Sequence, residues 1–350
     1  MTMPWGTNLI SGNYYWHLDL SQTFPMSSAH IAAWTSDCQY LQSRGATLVR
    51  LPFMWERMQS SINGALVTQY LADLDNLISI AGSYGLKVLL DIHNYAIYRV
   101  RPWANNVSYS IGSHQLPISA LANLWGKVAS HYKGNPRIYG YGLMNEPNTL
   151  LGDSTTWFNA CQVCINAIRA VDTITRIVVP GYQWNATVNW PSTSDNLKNL
   201  VDPRNNLIFE GHIYLDGTTL TQYNSEYTDP TCTNSMPDIG PQRLAPFVNW
   251  LRTNGKKGII GEISVPIDQC WLDRFGTTLT ALKAALDVIQ GVIFWVMGEP
   301  WDASYNMSIE PTGGMDKPQT LMMMAAFNPV AHGIQILAGA NHQDVTLVHV

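Results

Sequence analysis

Two acids stand out by where they fall. Gly142-Leu143-Met144-Asn145-Glu146-Pro147 and Gly258-Ile259-Ile260-Gly261-Glu262-Ile263 are apolar, strand-like runs. Each reaches a glutamate just before the pattern breaks. Barrel enzymes place their chemistry at the carboxyl ends of strands. Two acids from strands far apart in sequence are what glycosidic bond cleavage needs: one protonates the leaving oxygen, the other attacks or activates water. An Asn-Glu-Pro tripeptide alone carries little weight, because glutamate beside proline is common in turns. The elements around the two acids have to decide.

Strand-like segments recur at Thr7–Ser11, Thr47–Phe53, Lys87–His93, Tyr139–Asn145, Arg176–Pro180, Leu207–Tyr214, Gly258–Ile263 and Val292–Val296. Helical periodicity fills the intervals, for example at Gln69–Tyr84, Ser119–Tyr132, Trp157–Val171, Leu244–Asn254 and Leu272–Ile289. Strands alternating with helices predict parallel βαβ units. Eight of them suit a single α/β domain, a closed (β/α)8 (TIM) barrel, better than an open doubly wound sheet. No Gly-x-Gly-x-x-Gly follows the first strand, which counts against a dinucleotide fold. There is no internal repeat or low-complexity linker. The barrel is expected over residues 1–330, with a C-terminal extension at 331–350. There Ile334–Leu337 and Val345–Val350 alternate apolar and polar residues around Gly339-Ala340-Asn341, the pattern of a β-hairpin.

Composition narrows the partners. Charged residues are 13% of the 350, about half the usual share, and the formal net charge is −5. This argues against a nucleic-acid footprint or attraction to anionic membranes. Thirteen Trp and sixteen Tyr mostly fill a large core, but several are expected to line a groove for a neutral, flat-faced ligand. No run approaches the roughly 20 apolar residues of a membrane span. The first 25 residues lack the basic start and apolar middle of a secretory leader. Cys161 and Cys164 form a C-x-x-C inside an amphipathic helix, without the second pair a zinc site needs, and read as buried small residues. Sequons occur at Asn106, Asn185 and Asn306.

The carboxyl ends of the proposed strands carry Arg50, Asp91, His93, Asn94, Asn145, Glu146, His212, Tyr214, Glu262 and Trp295. Any one of them has an ordinary structural explanation. Their conjunction at six strand ends, all converging on one mouth, does not. A metal reading would use Asp91, His93 and His212. It lacks the early His-x-His of many metal-dependent barrels and leaves two glutamates without a role, so no metal or cofactor is expected.

In order and spacing, Arg50, His93, Asn145-Glu146, His212-x-Tyr214, Glu262 and Trp295 resemble the signature of glycoside hydrolase family 5. The likeness runs from about Thr7 to Phe327. Leu90-Asp91-Ile92-His93-Asn94-Tyr95, His212-Ile213-Tyr214-Leu215-Asp216, Ser308-Ile309-Glu310-Pro311 and Asp316-Lys317-Pro318-Gln319 look like its endoglucanase (cellulase) branch. The resemblance implies a retaining hydrolase with Glu262 as nucleophile, ionised beside Arg50 and Tyr214. Glu146 would be the general acid and then base, its proton affinity tuned upward by His212 and partial burial. Asn145 would bind the sugar 2-hydroxyl, His93 and Asn94 would line the same subsite, and Trp295 would floor it. Trp103, Trp184 and Trp301 are candidates for neighbouring subsites, and Asp91 orients its neighbours. Glu299 and Glu310 are read as structural.

The resemblance also implies a Cys232–Cys270 disulfide between the loops after strands 6 and 7, which suits an exported protein. The expected substrate is a neutral β-1,4-glucan cut internally by a monomeric enzyme acting outside the cytoplasm. The sequence departs from the branch at Asn148, where His is common, at Ile263-Ser264 after the nucleophile, and in the loop after Asp216. A β-mannanase, a xyloglucanase and a hydrolase of bacterial exopolysaccharide are the alternatives on the same fold. A barrel that binds sugar without cutting it would have lost one of the glutamates.

Overall fold

The computed structural model describes residues 3–10, 25–100, 107–148, 152–217, 219–221, 232, 238–298, 301 and 305–328. It also describes the backbone of 334–338 and 345–349. Trp103, Glu299 and the Asn106 sequon lie outside these residues.

Eight parallel strands close a barrel: β1 (Trp5–Leu9), β2 (Leu48–Phe53), β3 (Lys87–Ile92), β4 (Ile138–Gly142), β5 (Arg176–Pro180), β6 (Leu207–Tyr214), β7 (Gly258–Ser264) and β8 (Ile289–Met297). Each neighbours the next in sequence, and β8 returns to β1. All coincide with segments read as strands, their ends displaced by up to three residues. The helices α1 (Ser28–Ser43), α2 (Thr68–Ser83), α3 (Ile118–Tyr132), α4 (Ser154–Arg169), α5 (Trp190–Thr193), α6 (Ile239–Thr253), α7 (Gln269–Lys283) and α8 (Pro318–Phe327) each follow the strand of the same number. Their apolar faces join the outer barrel surface in one core, with Trp5, Trp34, Trp55, Trp125, Trp157 and Trp190 fully enclosed. Most of the tryptophans therefore serve packing.

Inside the barrel, alternate residues of each strand point inward. Leu48, Leu89, Val178, Ile208, Ile259 and Ile293 make an apolar floor. Two residues further along, the same faces carry Arg50, Asp91, Glu210, Gly261 and Trp295. A polar layer thus sits directly on an apolar one. Strict alternation would aim Gly261 inward and Glu262 outward, toward the helices. The ladder between β6 and β7 prevents this by slipping one residue between Gly211 and His212, so that His212 stands opposite Glu262. Such a slip re-aims every side chain beyond it.

Cys232 is bonded to Cys270, with Cα atoms 6.1 Å apart. Cys270 lies in the first turn of α7 rather than in a free loop. The bond closes a loop of 38 residues, which in the chain-entropy account stabilises by roughly 3–4 kcal/mol. Cys38, Cys161 and Cys164 are buried free thiols, and burial pushes all three well above the ordinary thiol range. Denatured, unreduced protein should titrate three thiols, rising to five after reduction. Five before reduction would contradict the bond.

At the C-terminus, Ile334–Ala338 pairs antiparallel with Val345–His349, Ile336 opposite Leu347, and the pair lies beside α8 and α7.

Candidate active site

The site is assembled around Arg50. Its guanidinium is wholly buried among carboxylates and amides. Nη1 donates to Asn8 Oδ1 at 2.8 Å and to Glu262 Oε1 at 3.0 Å. Nη2 donates to Asn145 Oδ1 at 2.7 Å and lies 3.2 Å from Asp91 Oδ1. Nε lies 3.0 Å from Glu210 Oε1. One cation thereby fixes side chains from β1, β3, β6 and β7 and from the segment after β4. A buried charge with this many partners is stable; stripped of all its carboxylates it would be an uncompensated charge in low dielectric.

Glu262 receives a second donor, the Tyr214 hydroxyl, at 2.6 Å from Oε2. Burial dominates its titration and pushes the carboxyl above its ordinary value. The His212 cation opposes this, the Glu146 carboxylate adds to it, and Arg50 opposes it.

Glu146 follows β4, past Leu143, whose amide donates to Val178 O at 3.1 Å, and Asn145, whose amide donates to Ile92 O at 2.7 Å. Its backbone is held at φ 42°, a left-handed conformation that costs a non-glycine residue of order 1–3 kcal/mol. Its side chain is 18% exposed, and His212 Nδ1 lies 2.7 Å from Oε1. One oxygen of Glu146, one of Glu262 and a nitrogen of His212 lie within 4.8 Å of one another.

His212 and His93 sit in opposite charge states. Burial works against the His212 cation, but the Glu262 carboxylate and the bonds from Glu146 and Glu210 outweigh it and push the imidazole up to about 10. His93 is pulled down to about 3, by burial and then by Arg50. It is neutral, and with Nδ1 2.8 Å from Asp91 Oδ2, its Nε2 is the acceptor for Asn145 Nδ2 at 3.1 Å and for the Tyr95 hydroxyl at 3.2 Å. The Asn145 amide is thus oriented from both sides, by Arg50 and by His93. Burial, against Arg50, lifts Asp91 to about 7.

These shifts predict a pH dependence of stability. His212, with its folded value raised, contributes stability that is complete below its unfolded value of about 6.5 and is lost as pH rises through about 10. His93, with its folded value depressed, costs nothing above about 6.5 and destabilises progressively as pH falls toward 3. Melting temperature against pH should therefore fall on both sides of a maximum near pH 6.5. A His212→Asn variant should lose the alkaline decline; if the decline persists, His212 is not its source.

The Trp295 ring lies nearly parallel to His93, centroids 5.6 Å apart, and packs edge-on against Trp301 at 6.1 Å. Trp301 packs on Tyr305 at 4.5 Å. Trp184 is 39% exposed in a turn where Gln183, Trp184 and Asn185 all have positive φ, and its amide donates to Pro147 O, beside Glu146. Asn94 was expected to line the sugar subsite. It is buried, accepting from the Trp55 amide at 2.9 Å and donating to Glu56 at 2.5 Å, bonds that anchor the loop after β3. Asp91, His93 and His212 do not form the alternative metal set, because His212 faces Glu146 and Glu210 while Asp91 and His93 bond each other. Glu310 accepts from the Gly298 amide. Asn185 is fully buried, which removes its sequon from the glycan-accepting surface, whereas Asn306 is exposed.

Sequence reasoning missed Asn8, Asn185 and Glu210. Asn8 tethers Arg50 and reaches Gly261 O and Phe294 O. Asn185 Nδ2 lies 3.2 Å from His212 Nε2. Glu210 carried a legible signal, since Glu210, His212 and Tyr214 share one face of β6 at a spacing of two.

A (β/α)8 barrel with two glutamates close together at its mouth, one held by Arg50 and Tyr214 and the other by His212, has the architecture of a glycoside hydrolase. Residues 17–298 match the model of the cellulase family, glycosyl hydrolase family 5. Endoglucanase gh5-1 of Neurospora crassa is 30% identical over 297 residues, 84% of this chain and 70% of that protein. Endo-beta-1,4-glucanase A of Emericella nidulans is 30% identical over 79% of this chain and 78% of its own length. The crystal structure of Pseudomonas stutzeri endoglucanase Cel5A in complex with cellobiose superposes with a TM-score of 0.79 at 31% identity, covering 93% of this chain and 92% of that one. The chain belongs to glycosyl hydrolase family 5 and is a cellulase-type glycoside hydrolase.

Proposed function

We propose that the protein is an endo-β-1,4-glucanase that hydrolyses with retention of anomeric configuration. The observation that carries the mechanism is the approach of Glu146 and Glu262 to within 4.8 Å. So close an approach of one oxygen from each supports the spacing of retaining enzymes, about 5–5.5 Å, over the roughly 6.5–9.5 Å of inverting ones. Glu262 is the nucleophile: two donors, Arg50 and Tyr214, stabilise it as an anion and leave it aimed into the mouth. Glu146 is the acid and then the base. His212 occupies its Oε1, so Oε2 carries the proton to the leaving oxygen. The carboxylate formed by that transfer meets an imidazolium, which favours the transfer. Asn145, oriented by Arg50 and His93, holds the sugar 2-hydroxyl, a bond that strengthens toward the transition state. Trp295 supplies the face on which the sugar ring rests, and Trp184 and Trp301 extend it to either side.

The glucan preference rests on the endo-glucanase names of the relatives and on that 2-hydroxyl contact. The hydroxyl is equatorial in glucose and axial in mannose. Leaving the polar groups of Asn145 unpaired costs on the order of 1–3 kcal/mol per group. The disulfide favours work in an oxidising compartment outside the cytoplasm. Among the described residues no helix is long and apolar enough to cross a membrane.

Proton NMR of the first product should show the β anomer before mutarotation; early α anomer would refute the mechanism. Carboxymethyl-cellulose and mixed-linkage glucan should lose viscosity faster than they release sugar, and faster than mannan does. Preferred cleavage of mannan would move the assignment to the mannanase alternative.

A further inference from the structure

Beneath the two catalytic glutamates lies a third, Glu210, fully buried in the middle of β6. Its Oε1 is 3.0 Å from Arg50 Nε and 3.3 Å from His212 Nε2. It is the carboxylate that touches both cations from below, while Glu262 touches Arg50 and lies 3.5 Å from His212 from above. Room for it is made by Gly261, where any Cβ would fall 1.9 Å from Oε1. We propose that Glu210 is a positioning residue of the hydrolysis: it pins His212 through Nε2, so that Nδ1–H faces Glu146, and it fixes Arg50 beneath Glu262.

The groups around His212 support this. Glu146 faces it from the end of β4, Glu262 and Glu210 from β7 and β6, and Arg50, Asp91 and His93 from β2 and β3. Tyr214 stands on the same face of β6. Glu146 changes protonation state during the cycle, and Glu262 loses its charge when it forms the glycosyl ester. Of the two carboxylates bonded to His212, Glu210 is the one that touches no reacting atom. It is therefore the counter-ion that stays in place when the others change. Burial works against its charge, but Arg50 and His212 outweigh burial and hold the carboxyl below its ordinary value. An imidazolium at 212 also explains Asn185: turning its amide brings the otherwise unbonded oxygen to Nε2–H.

This inference rests on Glu146 as the acid/base, and its test includes a measurement that needs no activity. In the wild-type protein the nitrogen NMR shifts of His212 should report an imidazolium past pH 8. In Glu210→Gln, checked for folding by its melting transition, the His212 midpoint should fall by at least one pH unit. On soluble glucan kcat should fall 10- to 100-fold with KM within twofold, because Glu210 meets no sugar. Glu210→Asp, which keeps the charge, should restore the midpoint to within half a unit. An unchanged midpoint in folded Glu210→Gln would overturn the proposal, as would a rise in KM with kcat preserved. If Glu210→Gln does not fold, a neutral wild-type His212 at pH 7 overturns it and an imidazolium there supports it. If the midpoints move as expected but Glu146 proves not to be the acid, the charge role of Glu210 stands and only its link to catalysis falls.

Discussion

Glu262→Ala should lower the rate on any β-glucan by on the order of 10⁴-fold or more, because it removes the group that forms the covalent intermediate. The cavity left beside Arg50 and Tyr214 keeps its donors, since both approach from the strand side. A small anion should therefore bind where the carboxylate was. Azide should restore measurable turnover of an activated aryl cellobioside and yield an α-glycosyl azide, formed by direct attack on the face that Glu262 had occupied. A β-azide from this variant would exchange the roles of the two glutamates. Removing Glu262 also leaves Arg50 with Asp91 and Glu210 as its remaining anions, so the variant should fold.

Glu146→Ala should behave in the opposite way. The nucleophile survives, so a substrate with a good leaving group still forms the glycosyl-enzyme. Polymeric glucan, whose leaving alkoxide needs a proton, should slow by on the order of 10³-fold, within the usual span for general acid catalysis. Azide should accelerate breakdown of the intermediate and give a β-glycosyl azide. Equal losses on activated aryl glycosides and on glucan would show that Glu146 does something other than proton transfer.

The sequence showed most of the frame because a parallel barrel repeats one local rule eight times. Each strand is a short apolar run and each helix an amphipathic one. Boundaries drifted where the chain leaves the ladder without changing its composition. Leu143 and Met144 are as apolar as a strand but lie beyond the last pair of β4. α6 begins five residues before the expected Leu244, at Ile239; Pro241 falls in its opening turn, where a proline's missing amide costs no bond. Polar residues at strand ends were visible because they interrupt apolar runs. The bonds of Asn94 to Trp55 and Glu56 were not legible in the same way, since a strand-end amide looks alike in sequence whatever it meets. Glu210 was passed over because it lies in mid-strand. Its purpose depends on Arg50 and Gly261, which are distant in sequence. The slip that turns Glu262 inward has no local mark beyond Gly261 itself.

Gly261 and Glu210 also restrict how this sequence can change. A methyl group at 261 cannot coexist with the carboxylate at 210. Replacing residue 210 alone with a small neutral side chain strips Arg50 and His212 of the anion they share. Each single step therefore damages the site by a different route, one steric and one electrostatic. Only a coordinated double change avoids both. The two positions behave as one heritable unit split across neighbouring strands. Homologues that vary at one should vary at the other, with a new anion nearby or with Arg50 altered as well. Any attempt to retune the rate by directed variation at the nucleophile strand will meet this barrier before it meets the substrate.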